Sequence, residues 1–445
     1  MSEHPKNTAV RLESCEAIAA LVERRPIDSR IQRLTVTLSD CALDTIAVAN
    51  TVSLLCSNQS VLQELELRDC TGDLGTIITV ALTTCKKLNS LSIFMKSSLA
   101  SYFDRFAYSL GAGLITTSSL STLRLGIGSC TKYFILTSEA ARSLHQGLSK
   151  NTSLSSLHLA NCRFQELKTV GILAKGLGDM TRLRTFGLHS CYEPDGQPFE
   201  DEGNAFLLFA LVNNSKLEFL DLSRSKCLDE GMIALSVLLD HTTIRKLDLS
   251  NQHMTKYEHM NTFRVIGGLA RSSTLEEVNM ESNKLYSPYD MTHFAAVLAH
   301  NTSIKTWNLT NNKIDSSAMK NIASRMHSMK GLQTLLIGPN NGFDDETSQA
   351  ILEGMKQNKV LQNIDLDPNL ADYKPIQYYT DLNWGGRRFI EQRNKDDDTT
   401  EKVGPIPQPV WPTILSRVSR RSEDNERRAN LIYFYLQNGS AIFPV

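Results

Sequence analysis

One phrase recurs along this chain and limits what it can fold into: apolar-x-x-apolar-x-apolar-x-x-(Asn or Cys)-x-apolar. It is clearest at Leu154, Leu157, Leu159, Cys162 and Phe164. It returns at Leu275, Val278, Met280, Asn283 and Leu285, and again at Ile304, Trp307, Leu309, Asn312 and Ile314. Further copies run from Leu62 to Cys70, Leu183 to Cys191, Leu332 to Asn340 and Leu361 to Asn369. Weaker copies begin at Leu88, Leu120, Leu217 and Ile244, and a degenerate first copy uses Val36, Leu38, Cys41 and Leu43. These twelve copies, spaced about 30 residues apart, mark a repeat architecture that extends in one direction. Without the repeat, 445 residues would imply two or three separate cores.

The spacing dictates local structure. Alternating apolar residues such as Leu157 and Leu159 form a short strand with one inward face. The chain then turns, and the Asn or Cys points inward to meet the turn backbone. Met319, Ile322, Ala323 and Met326 follow helical spacing, so a helix joins each strand to the next. Asn151, Asn214, Asn301 and Asn358 each stand three residues before a new strand phrase, where a left-handed Asn would end the preceding helix.

These motifs resemble the leucine-rich-repeat family, specifically its long-repeat, ribonuclease-inhibitor-like class. The resemblance covers residues 31–370 and implies an α/β solenoid, or horseshoe, of about twelve strand-helix repeats. A parallel sheet would line its concave face and helices its convex face.

A solenoid needs covered ends. Residues 1–30 read as an N-terminal helical cap carrying Ile18, Leu21 and Val22. Residues 371–390 read as a C-terminal cap segment, 391–410 as a linker, and 411–445 as a second helical cap or a partner-binding tail. Longer intervals predict loops at 97–119, 126–138 and 191–204.

Charge and motifs narrow the function. With 47 basic and 48 acidic residues the net charge is −1, so no global field attracts nucleic acid or a membrane surface. The polar start lacks a signal peptide's apolar core, which predicts a cytoplasmic protein, with the nucleus also open. Nine cysteines without a Cys-x-x-Cys pair predict neither a zinc module nor a disulfide framework; Cys41, Cys70, Cys162 and Cys191 read as structural. Trp384 to Arg388 is glycine-rich but lacks phosphate-loop spacing, and reads as a turn inside the cap. Arg417, Ser419, Arg420 and Arg421 resemble a basophilic kinase target. No catalytic, cofactor or metal constellation emerges, so the chain reads as a non-enzyme without a cofactor.

Residues flanking the inward apolar pair of each strand should face out of the sheet. Near the middle these are Arg124, His158, His189, Phe219, Asp221 and Arg224, with Asp248 and Asn279 beyond. Aromatic and arginine side chains dominate binding hot spots, so these six are the candidate partner-binding residues. The expectation is a monomeric interaction scaffold holding a protein on its concave face. One alternative is a regulator of a small GTPase, similar to the Ran GTPase-activating proteins, whose acidic C-terminal segment is matched here only by Asp396–Asp398. Another is the substrate-recognition subunit of a ubiquitin ligase, or an immune-type sensor.

Overall fold

The computed structural model describes residues 8–12, 31–37, 49–50, 52–53, 62–70, 74–95, 103–127, 134–189, 199–225, 227, 229–252, 260–285, 288–338, 340, 342–387, 411–421 and 425–438. The chain divides into two compact units, Met1–Gln252 and His253–Val445.

The first unit contains strands β1 (Thr8–Leu12), β2 (Ile31–Thr37), β3 (Glu64–Cys70), β4 (Ser90–Met95), β5 (Thr122–Ile127), β6 (Phe134–Leu136), β7 (Ser156–Ala160), β8 (Cys162–Phe164), β9 (Thr185–His189), β10 (Phe219–Asp221) and β11 (Lys246–Asp248). All but β6 and β8 lie side by side in chain order, in one sheet with parallel pairing. Its helices are α1 (Leu74–Thr84), α2 (Phe103–Thr116), α3 (Ser138–Lys150), α4 (Leu167–Gly178), α5 (Phe199–Leu211) and α6 (Asp229–His241), each packed on the next. The signature leucines supply the core: Leu65, Leu91, Leu123, Leu157 and Leu220 are all buried. They stack in register, Leu65 on Leu91, Leu91 on Leu123 and Leu123 on Leu157.

The second unit repeats the plan with β12 (Glu277–Asn279), β13 (Thr306–Asn308), β14 (Thr334–Leu336) and β15 (Asn363–Asp365), paired in parallel in that order. Helices α7 (Met260–Arg271), α8 (Pro288–His300), α9 (Ser316–Arg325) and α10 (Asp345–Gln357) pack one on the next. Then come α11 (Tyr373–Gly385), α12 (Trp411–Arg421) and α13 (Asn425–Asn438).

The inward polar position works as a ladder between repeats. Asn312 donates through Nδ2 to Met280 O and Leu309 O, and its Oδ1 accepts from Asn283 N. Gln252 spans the same gap in the first unit, accepting from Cys227 N and donating to Leu222 O. A second ladder runs along the helix exits. Asn301 Nδ2 donates to Leu269 O and Ser272 O, while Asn301 Oδ1 accepts from Ser303 N and Ile304 N. Asn151, Asn214 and Asn358 make the same kinds of bond.

Several expectations are corrected. The helix-exit asparagines are not left-handed: Asn151 and Asn358 are extended, at φ −75°, because the amide reaches both ways from that backbone. The left-handed residues instead flank the inward rung, just before it at Asn161, Arg224, Asn251, Ser282 and Asn311 and just after it at Lys284 and Lys313. The first copy is shifted by two: Leu34 and Val36 align with Leu65 and Leu67, so Val36 is the second strand position and not the first. Period-two alternation presents the same face in either register, so hydrophobicity could not decide.

Segment 1–30 contributes strand β1 to the sheet edge, while the helix expected after Leu12 lies outside the described residues. The 97–119 interval contains helix α2, the ordinary helix of its repeat, rather than only a loop. The 126–138 interval adds β6, which pairs in parallel with β8 and packs Phe134 against Phe103. In the third, residues 191–198 lie outside the described residues and α5 begins at Phe199.

Cys162 is a buried thiol, Cys70 ends β3, and Cys41 and Cys191 lie outside the described residues. Cys85, in contrast, is disulfide-bonded.

Candidate partner-binding face

Each strand that buries its leucines exposes its alternate residues on the other side of the sheet. The parallel register therefore lays these residues out in rows. One row runs Glu66, Ser92, Arg124, His158, Gly187, Asp221, Asp248 across β3, β4, β5, β7, β9, β10 and β11. A second runs Ser156, Thr185, Phe219, Lys246. Arg124 and His158 are thus direct cross-strand neighbours, and Phe219 stands half-buried two residues from Asp221 on the same strand.

Gly187 shapes the middle of the face. A Cβ there would come within 2.3 Å of His158 Nδ1, so the imidazole lies over the space a side chain would fill. His158 Nε2 and Ser156 Oγ are 3.1 Å apart and hydrogen-bonded. Burial pushes His158 below its ordinary value of 6.5, Arg124 lowers it further, and Asp221 pulls the other way.

His189, Ser223 and Asp221 form a chain of hydrogen bonds. Ser223 Oγ donates to Asp221 Oδ1 at 2.6 Å, Ser223 N donates to the same oxygen at 2.9 Å, and His189 Nδ1 bonds the hydroxyl. The order is wrong for nucleophilic catalysis, which needs the imidazole between hydroxyl and carboxylate to take the proton. Here the hydroxyl proton points at Asp221. The carboxylate ends its strand with an Asx turn, as Asp248 does by accepting from Ser250 N and Asn279 from Glu281 N.

Of the six candidates, Arg124, His158, Phe219 and Asp221 share the face, and His189 joins them through Ser223. Arg224 does not. It is exposed but left-handed, at φ 58°, in the turn after β10, where its N–H donates to Ser250 O. Counting outward from the apolar pair could not separate strand from turn. That reading also missed the other end of the face, where Arg33 pairs with Glu64, Arg68 pairs with Glu66, and Arg68 stacks 5.6 Å over Phe94. Their signal was present, since all alternate with buried apolar residues.

Among the described residues, no group of three or more His, Cys, Asp or Glu is placed to hold a metal ion. Nor is any described helix long and apolar enough to cross a membrane.

A family model described as "Leucine Rich repeat" matches residues 300–323. No curated protein matches the chain. Among solved structures, the chain is similar to actin-binding site 2 of leiomodin-1, with 15% identity, 34% of this chain and 88% of that one covered, and a TM-score of 0.29. It is similar to a tropomodulin C-terminal domain from Caenorhabditis elegans, with 9% identity, 36% and 98% covered, and a TM-score of 0.32. It is also similar to a chain of the yeast Rad7–Elc1 complex, with 16% identity, 73% and 77% covered, and a TM-score of 0.44. The matched segment holds Asn301 and Asn312, whose hydrogen bonds are described above, together with Trp307 and Leu309, and the same strand-helix unit recurs in both units: the fold is that of a leucine-rich-repeat array.

Proposed function

We propose that the chain is a protein-interaction scaffold, and that its first unit holds a partner protein on the leucine-free face of the sheet around Arg124, His158, His189, Phe219 and Asp221. One observation carries this reading. A single ordered face presents a half-buried aromatic, two imidazoles, a guanidinium and a carboxylate side by side, while the opposite face is packed with buried leucines. Repeated strands about 4.8 Å apart give such a face room for an interface of about 800 Å² per partner. Arg224, in the neighbouring turn, flanks this surface.

The interaction is read by crosslinking mass spectrometry on the native protein, followed by affinity measurement with the partner so found. Arg124→Ala with Phe219→Ala is expected to weaken binding at least about tenfold, with the thermal melt unchanged. Unaltered affinity in that variant would remove the face from consideration.

A further inference from the structure

The Asn ladder runs out inside the second unit. Asn283 N and Leu285 N donate to Asn312 Oδ1, at 2.7 and 3.4 Å. One repeat later Asn312 N and Ile314 N donate to Asn340 Oδ1, at 2.7 and 3.2 Å. The next pair in this series is Asn340 N and Gly342 N, and the next oxygen would come from Asn369. Asn369 is exposed instead, and its N and Nδ2 both donate to Asp367 Oδ1 at 2.9 Å. Among the described residues, no side-chain oxygen takes the rung.

Asn340 and Gly342 line a cavity of about 480 Å³, whose apolar wall includes Ile337, Phe343 and Leu366. Asp345, Asp365 and Asp367 line it too, and among the described residues no Lys, Arg or His does. Asp365 lies over Gly338, where a Cβ would sit 3.2 Å from its carboxylate oxygen. Lys320, a basic residue on α9, is already paired with Asp344 and Glu346. The pocket thus sets an apolar wall and negative charge beside a rung that no described side-chain oxygen fills.

We propose that this pocket binds an extended segment of a partner protein carrying an Asn or Gln side chain flanked by Lys or Arg. The carboxamide oxygen completes the ladder at Asn340 and Gly342. The basic neighbours answer the three carboxylates, which would repel an acidic residue offered to the same donors. Their aliphatic stems cover the apolar wall.

The test is fluorescence anisotropy of the full chain with a labelled synthetic peptide bearing one Asn between arginines, beside an Asn→Leu control of equal charge. Binding is expected, at least about tenfold weaker for the control peptide and for the Asp345→Asn/Asp365→Asn chain, and weaker at high salt. Circular dichroism melts check that the variant folds. No binding, or equal binding by either control, would overturn the proposal. A concentration-dependent dimer that the same two substitutions dissolve would assign the pocket to a second copy, and would overturn it too.

Discussion

Asn312 is fully buried and makes hydrogen bonds to backbone groups of its own and the preceding repeat. Removing its amide strands several buried donors and acceptors at once, each costing about 1–3 kcal/mol. Asn312→Ala should therefore cost on the order of 3 kcal/mol or more, read from urea unfolding of the purified protein. Trp307 presents the opposite case. Its ring is buried edge-on to Phe294, yet among the described residues its Nε1 has no hydrogen-bond partner. Trp307→Phe removes an unsatisfied N–H along with some volume, so it should cost far less than the about 3–5 kcal/mol expected of Trp307→Ala. His158 couples the candidate face to pH. Its folded pKa is depressed, so the unfolded chain binds the proton first as pH falls. Stability should then decline just below 6.5, the ordinary value, and be fully present above it. His158→Gln should flatten that decline between about pH 7 and pH 5 in urea titrations.

Among elements, neighbouring helices meet where side chains are missing. A Cβ at Gly147 on α3 would lie 2.7 Å from Gly111 O on α2, and one at Gly111 would lie 2.2 Å from Ser143 O. In an isolated helix Gly→Ala gains about 1 kcal/mol, but here the obstacle is backbone and cannot rotate away. Gly147→Ala should lower the thermal midpoint, against the usual rule, in a calorimetric scan. The helices themselves were legible, because Met319, Ile322 and Ala323 keep the 3.6 period and are buried on α9. The spacing between helices was not. Nothing near Gly147 in sequence reveals that Gly111 lies against it. The strand rows behave alike: the phrase names inward leucines, but only pairing sets His158 beside Arg124 and over Gly187.

At the scale of whole units, the end of the array must be covered. Helix α11 imitates one more repeat, with Asn383 Nδ2 donating to Asn358 O and Leu361 O as the exit asparagines do. Gly386 ends it left-handed at φ 107°, and the buried Arg387 donates to Lys356 O and Met355 O while stacking 5.0 Å from Tyr379. Of the glycine-rich stretch, Trp384 and Gly385 thus end α11 and Gly386 turns the chain, while Arg388 lies outside the described residues. Helices α12 and α13 close on α11 through Leu382, Ile414, Val418, Leu431 and Tyr435, whose hydroxyl donates to Leu382 O, and Arg427 pairs with the buried Asp381. Gly385→Ala would put a Cβ 2.5 Å from the Tyr435 oxygen. It should loosen α13 and raise hydrogen exchange there before the repeats themselves unfold.

What the sequence determined by itself is periodic. Inward leucines, inward asparagines and the alternation of strand with helix are local rules repeated about twelve times, each satisfied within one coil or by an identical neighbour. What the tertiary structure decided is everything that breaks the period. The extra strand β1, the two-residue shift of the first copy, the left-handed turn that withdraws Arg224 and the rung that Asn369 leaves unfilled all depend on which residues lie one coil away. The repeat specifies that a neighbouring coil exists, and only stacking determines which of its side chains will meet.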